Sequence, residues 1–359
     1  MMTENMDSLP LERTCMDRYK PSYEITDTMT TLISDISEKV GRIDASGEGA
    51  AMPHLRRNMQ IRSIYSSLRI EANSLTADQV RDVIDGKSVT GPASEILEVK
   101  NAYEAYSQIS RIDPYQISEL LRLHGIMTKD LIAESGRYRH GEEGVFNGDQ
   151  CIFMAPPARL VPSLMDDLFG WMGENQSRVN PLILSSVFHY EFVFIHPFAD
   201  GNGRMARLWQ TALLAQWKPI FDHLPVESQI ERYQDAYYKA IADCHAAGSS
   251  NIFIEFMLER ISEALDAFAV QAALETADSP YVGRLLACMT PGVSYSAAEL
   301  LTLLGLKSRQ TLRIHYLNPA IRESLVEMTI PEKPSSRNQR YRRTETWMLR
   351  EQNRTFESG

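Results

Sequence analysis

The sequence predicts a mainly α-helical protein: a helical bundle interrupted by one β-hairpin and followed by a small winged-helix module of mixed α and β structure. Three observations carry this. Apolar residues recur at helical spacing through most of the chain. One stretch, "GRYRHGEEGVFNGDQCIFMAPP" (136–157), instead sets Asn147-Gly148 between short apolar runs, which is a hairpin signal. The charge also changes sign: residues 281–359 hold 12 Lys and Arg against 7 Asp and Glu, about +5, on a chain of net charge −10, leaving about −15 elsewhere.

Composition places the chain in an ordinary globular class. At 359 residues, 43% hydrophobic and 23% charged, it can bury a core of two or three domains. No segment has the apolar length needed to span a bilayer, so no membrane partner is expected. The N-terminal "MMTENMDSLPLERT" lacks the basic start and apolar stretch of a secretory signal, which makes the cytoplasm the expected compartment. Cys15, Cys151, Cys244 and Cys288 lie far apart without CxxC spacing and are expected to be reduced packing residues.

Residues 1–60 are expected to form an N-terminal arm, irregular at first, then amphipathic in "TLISDISEKVGRI", and closed by the loop "DASGEGAAMP". The body covers 61–275. Three or four helices are expected between Ile61 and Asp130, among them "ISELLRLHGIM", with a break at "DGKSVTGPAS". After the hairpin come "SLMDDLFGWM", then "PLILSSVFHYEFVFI" opened by Pro181, where a first-turn proline is tolerated. "RMARLWQTALLAQW", "ERYQDAYYKAIADC" and "NIFIEFMLERISEALDAFAVQAALETA" follow. In the last module, 281–346, Ser296 and Glu299 make a capping-box pattern before "LLTLLGL", Ser308 heads "RQTLRIHYL", and the basic "KPSSRNQRYRRT" closes a helix-turn-helix and wing.

Chemistry concentrates in "HPFADGNGRMAR" (196–207). Pro197 disfavours α geometry at His196, so the preceding helix must give way to a loop. Gly201, Asn202 and Gly203 can take left-handed conformations that align backbone N–H groups into an anion nest. A helix starting at about Arg204 would point its positive end at the same place, which suits phosphate. Arg204 and Arg207, three apart, can grip further phosphate oxygens. Asp200 can hold Mg²⁺, which takes one or two carboxylates plus substrate phosphates. An imidazole at His196, titrating near neutrality beside bound phosphates, suits proton removal from an incoming hydroxyl. Together these residues read as a phosphoryl- or nucleotidyl-transfer site.

"GNGRMA" also fits the dinucleotide-binding G-x-G-x-x-G/A, with Asp222 at about the right separation. That fingerprint needs a preceding strand, whereas "LSSVFHYEFVFI" is long and helically periodic. The Gly86-Lys87-Ser88 run is not a Walker A motif, because Arg81 stands where its first glycine belongs.

Residues 196–207 match H-x-F-x-D/E-G-N-G-R-x-x-R, the signature of the Fic (filamentation induced by cAMP) family, at every defined position, and the chain resembles that family over about 61–262. The resemblance implies an α-helical fold that transfers AMP from ATP to a protein hydroxyl and releases pyrophosphate. It implies His196 as general base, Asp200 as Mg²⁺ ligand, Gly201, Asn202 and Gly203 as the nest, and Arg204 and Arg207 as holders of the β- and γ-phosphates. The hairpin at about 144–153 resembles the family's flap, on which a target protein docks by strand addition. Tyr237 and Tyr238 resemble its aromatic contribution to the adenine pocket. "SLRIEAN" resembles its inhibitory helix, S/T-x-x-x-E-G/N, near 61–73, with Ser67 and Glu71 in place and Ala72 departing from the pattern. Alanine there is expected to prolong the helix and leave Asn73 as the left-handed terminator. Glu71 is expected to pair with Arg207 and deny it to the γ-phosphate.

Arg309 and Arg313 on a recognition helix, with Arg340, Arg342 and Arg343 on a wing, make DNA a candidate partner, and a second copy of the chain is another. A self-inhibited adenylyltransferase is the function expected. A DNA-binding regulator with a sensor body, or an enzyme of the same fold that removes AMP or transfers another phosphate-containing group, stays open.

Overall fold

The computed structural model describes residues 19–46, 53–147, 150–277, 280–322, 325–334 and 336–344. Cys15, the opening of the N-terminal arm, most of the "DASGEGAAMP" loop, Gly148 of the hairpin turn and residues 345–346 lie outside them.

Two largely buried helices form the centre. They are α7 (Pro181–Ile195), capped by the Asn180 side chain and opened by Pro181, and α8 (Asn202–Trp217). Both bury most of their residues, the polar ones of α8 included. They pack against each other, so the segment 196–201 joining them is fixed at both ends by core packing.

The remaining helices wrap this pair. They are α1 (Asp27–Ser46), α2 (Pro53–Ile70), α3 (Ala77–Ile84), α4 (Ala93–Tyr106) and α5 (Ile117–Met127) before the hairpin. After it come α6 (Val161–Asn175), α9 (Val226–Arg232), α10 (Gln234–Ala247) and α11 (Asn251–Ala277). The expected separate arm is not one. Met29, Ile36, Val40 and Ile43 of α1 pack on α11 in the common core, and the boundary placed at residue 61 falls inside α2.

The hairpin pairs β1 (Gly144–Asn147) with β2 (Gln150–Met154), antiparallel, with a register shift between Val145 and Phe146. Among the described residues no third strand joins it, so each strand keeps an open edge.

The C-terminal module has its own core of Val282, Leu285, Leu286, Leu300, Leu312 and Tyr316, among others. Its order is α12 (Pro280–Cys288), β3 (Tyr295–Ser296), α13 (Ala297–Leu304), α14 (309–322, with a π-helical stretch Leu312–Leu317), β4 (Val326–Met328) and β5 (Arg340–Arg343). The antiparallel sheet runs β3-β5-β4. Both expected caps form: Ser296 and Glu299 make a reciprocal capping box, and the Ser308 side chain accepts from Thr311 N–H.

The end of α2 corrects one expectation. Ala72, not Asn73, takes the left-handed conformation, with φ 65°. Ala72 N–H donates to the Arg69 carbonyl and Asn73 N–H to that of Leu68, a Schellman closure that makes Glu71 the helix C-cap. Asn73 is instead buried, donating from Nδ2 to Glu98 Oε2 at 2.8 Å and accepting at Oδ1 from Leu75 N–H. Those side-chain bonds fix Asn73, so the strained position falls one residue earlier. Ala72→Gly should therefore stabilise the protein by about 1 kcal/mol, read as a higher urea midpoint at unchanged m-value.

Candidate active site

The loop between α7 and α8 is held by three side chains, those of Asn202, His124 and Arg139. His196 ends α7 in a left-handed conformation, φ 51°, its N–H donating to the Phe192 carbonyl. Asn202 clasps the turn, accepting at Oδ1 from Phe198 N–H (2.9 Å) and donating from Nδ2 to the Phe198 carbonyl (2.7 Å).

His124 on α5 stacks on Phe198, ring centroids 3.6 Å apart. Gly136 N–H donates to its Nδ1, which leaves Nε2 to donate to the Asp200 carbonyl, each at 3.0 Å. Arg139, buried, donates Nε to the His196 carbonyl (2.7 Å), Nη1 to Gly141 (2.8 Å) and Nη2 to Pro156 (2.5 Å), and its N–H donates to the Pro197 carbonyl (2.9 Å). One guanidinium thus ties the carbonyls at the end of α7 to both roots of the hairpin. A cation at a helix C-terminus is also favoured by the dipole.

The nest differs from expectation. Only Gly201, φ 83°, is left-handed; Asn202 and Gly203 are already helical, so α8 starts two residues before Arg204. The Asn202 clasp starts the helix early, and its side chain faces the loop and not the anion position. Gly201 has a second reason to be glycine, since a Cβ there would lie 3.1 Å from Thr128 Cγ2. A Cβ on Gly203 would collide with the Glu71 carboxylate.

That carboxylate is the anion at the head of α8. Arg207, with a side chain 1% exposed, donates Nη2 to Glu71 Oε1 (2.7 Å) and to the Ser67 carbonyl (3.0 Å), and Nε to Ser67 Oγ (3.0 Å). Burial works against the guanidinium charge, but the facing Glu71 carboxylate outweighs it and raises the pKa. Arg204 donates to Asp200 Oδ2 (2.6 Å) and lies 3.6 Å from Glu98 Oε1, while its Nε has no partner. Burial pushes the Asp200 pKa up, but the Arg204 charge and the Gly201 N–H hold it below the usual range.

The His196 imidazole is shifted down, chiefly by burial, while one ring nitrogen faces the Val193 carbonyl. The ring is thus neutral at pH 7, its proton directed at that carbonyl and its other nitrogen unprotonated.

The structure divides the two tyrosines. Tyr237, 2% exposed, is core, its ring tilted against Phe253 and Phe256, and its hydroxyl meets His189. Tyr238, 47% exposed, alone presents a ring to the surface. The wing arginines are engaged within the module: Arg340 with Glu299 and the Ser294 carbonyl, Arg342 with Glu327, Arg343 with the Leu286 and Met289 carbonyls. Arg309 and Arg313 are exposed. No helix among the described residues is long and apolar enough to cross a membrane, and no cluster of three metal-ligating side chains occurs among them.

Residues 111–214 match the Fic/DOC family, and 280–344 match the "Filamentation induced by cAMP protein Fic-like, C-terminal domain". The crystal structure of a Fic family protein from Desulfovibrio desulfuricans G20 is 43% identical, with a TM-score of 0.68, over 91% of this chain and 98% of that one. The chain belongs to the Fic family. Within it, the protein adenylyltransferase Fic of Nematostella vectensis is 26% identical over 258 residues, 68% of this chain and 57% of that protein. That of Drosophila melanogaster is 28% identical over 257 residues, 68% and 47%. The chain spans about half the length of these adenylyltransferases.

Arg139 and His124 were not marked out by the sequence. Both sit in stretches noted for other reasons, "GRYR" and "ISELLRLHGIM", but the loop carbonyls they hold, His196 and Asp200, lie 57 and 76 residues away. Arg139→Ala should cost about 3 kcal/mol in urea unfolding, because the carbonyls it ties lose their donor. Acid should also weaken the fold. Burial pushes His124 down to about 4, whereas unfolded it protonates near 6.5. Its contribution is full above about pH 6.5 and is lost as pH falls toward 4, on the order of 3 kcal/mol. Urea midpoints at pH 7 and 4 should show the drop, and His124→Asn should show a smaller one.

Proposed function

We propose that the protein is a self-inhibited protein adenylyltransferase that transfers AMP from ATP to a hydroxyl of a target protein or of itself. The observation that carries this is the Glu71 carboxylate, seated against Gly203 at the positive end of α8 and bonded to Arg207. A helix N-terminus, an adjacent arginine and a glycine that permits close approach suit a phosphate oxygen. At rest a carboxylate from α2 stands there instead.

With Glu71 displaced, the triphosphate lies along the head of α8. Arg207 takes the γ-phosphate, and Arg204, whose Nε is unpartnered, takes the β-phosphate. His196 accepts the proton of the acceptor hydroxyl at the ring nitrogen turned away from Val193. The hydroxyl oxygen bonds to the α-phosphorus, the bond to the bridging oxygen breaks, and pyrophosphate leaves. Asp200, ionised and half exposed, fits a Mg²⁺ held by one carboxylate plus phosphates, once Arg204 releases it. Such an ion supplies charge neutralisation to the phosphates. The open hairpin edge offers backbone donors and acceptors to an extended segment of the target.

Incorporation from α-³²P-ATP tests this. Glu71→Gly should raise labelling roughly tenfold or more, and His196→Ala in that background should lower it by roughly 10²–10⁴. Equal labelling of all forms would end the proposal.

A further inference from the structure

Arg204 is the less settled of the two arginines at the head of α8. It is 4% exposed, yet among the described residues it makes one direct hydrogen bond, from Nη2 to Asp200 Oδ2 at 2.6 Å. Its Nε and Nη1 donate to no protein acceptor. Among the same residues one further carboxylate lies within ion-pair reach, that of Glu98 on α4, whose Oε1 is 3.6 Å from Nη1. That separation is too long for a hydrogen bond, so Glu98 attracts the guanidinium without using its protons.

Glu98 is itself fixed. Its Oε2 accepts from Nδ2 of the buried Asn73 at 2.8 Å, and that amide is held in turn by the Glu95 carbonyl (3.3 Å) and, at Oδ1, by Leu75 N–H (3.1 Å). Glu95, one turn earlier on α4, accepts from both the N–H and the hydroxyl of Ser74, each at 2.7 Å. Val99 and Ala102 beside Glu98 are buried in the core, so α4 gives it a firm base. With Oε2 taken by Asn73, Oε1 is the oxygen turned to Arg204. Asp200 is half exposed and, on the reading above, is given up to Mg²⁺, whereas Glu98 stays. A buried cation that loses one counter-charge needs another to hold its place.

We propose that Glu98, oriented by Asn73, is a positioning residue that keeps the Arg204 guanidinium aimed at the β-phosphate, with Nε and Nη1 left free to donate to it. This rests on the reading above that Arg204 takes that phosphate. A carboxylate bonded to the same protons would compete with the ligand, whereas one set back by this distance holds the charge and leaves the donors open.

The test uses the full-length Glu71→Gly protein, with α,β-methylene-ADP and AMP as calorimetric probes in Mg²⁺ buffer. Adding Glu98→Gln, which keeps the shape and an acceptor for Asn73 but removes the charge, should weaken binding of the diphosphate analogue about tenfold and leave AMP within about twofold. In a protein that also carries Arg204→Gln, the same substitution should change neither probe by more than about twofold, because a residue acting through Arg204 has nothing left to act on. Glu98→Ala should reproduce the split and serves if Glu98→Gln does not fold. Equal losses for both probes, no loss for either, or a loss that persists without Arg204 would overturn the proposal and leave Glu98 as an anchor for Asn73. If Arg204→Gln alone weakens both probes alike, Arg204 does not hold the β-phosphate and the proposal falls as well. The split, and its disappearance without Arg204, in a Glu71→Gly protein that transfers no AMP would uphold the positioning role while removing the adenylyltransferase reading.

Discussion

Arg207 is a cation almost without access to water, and the arrangement around it follows from that. A charge taken out of solvent must be paired and hydrogen-bonded, or it costs several kcal/mol. Here Glu71 supplies the pairing charge and Ser67 the further acceptors, both from α2. On the reading proposed above, whatever replaces Glu71 must bring negative charge of its own.

The loop before α8 is organised by the same economy of buried polar groups. Arg139 gathers carbonyls from the end of α7 and from the hairpin roots, His124 holds the Asp200 carbonyl, and Asn202 closes the turn on itself. None of these touches the anion position, yet together they determine where His196 and Asp200 stand. Packing of α7 against α8 makes the scaffold rigid enough for that to matter.

Much of this was legible in the sequence, where chemistry and local geometry coincide. The helical periodicity, the Asn147-Gly148 turn signal, the capping box at Ser296 and the spacing of Ser67, Glu71 and the 196–207 residues all express contacts a few positions apart or a repeated motif. Helix starts and stops were less legible. Ala72 went left-handed because Asn73 was committed to Glu98, a partner on another helix. The first residues of α8 became helical because the Asn202 side chain turned back on Phe198. Arg139 and His124 were hidden for the same reason: the His196 and Asp200 carbonyls they hold are distant in sequence, and neither side chain announces what it meets. The N-terminal arm merged with the body because α1 buries its apolar stripe on α11, a pairing that periodicity alone cannot assign.

As the C-cap of α2, Glu71 places its negative charge at the end of a helix dipole that repels it, and the positive end of α8 with Arg207 holds it there. Arg207 is buried while the Glu71 side chain is 35% exposed, so only one half of the pair is withdrawn from salt. A dilute monovalent anion competes poorly for such a seat, whereas a compact polyanion that reaches several donors at once competes well.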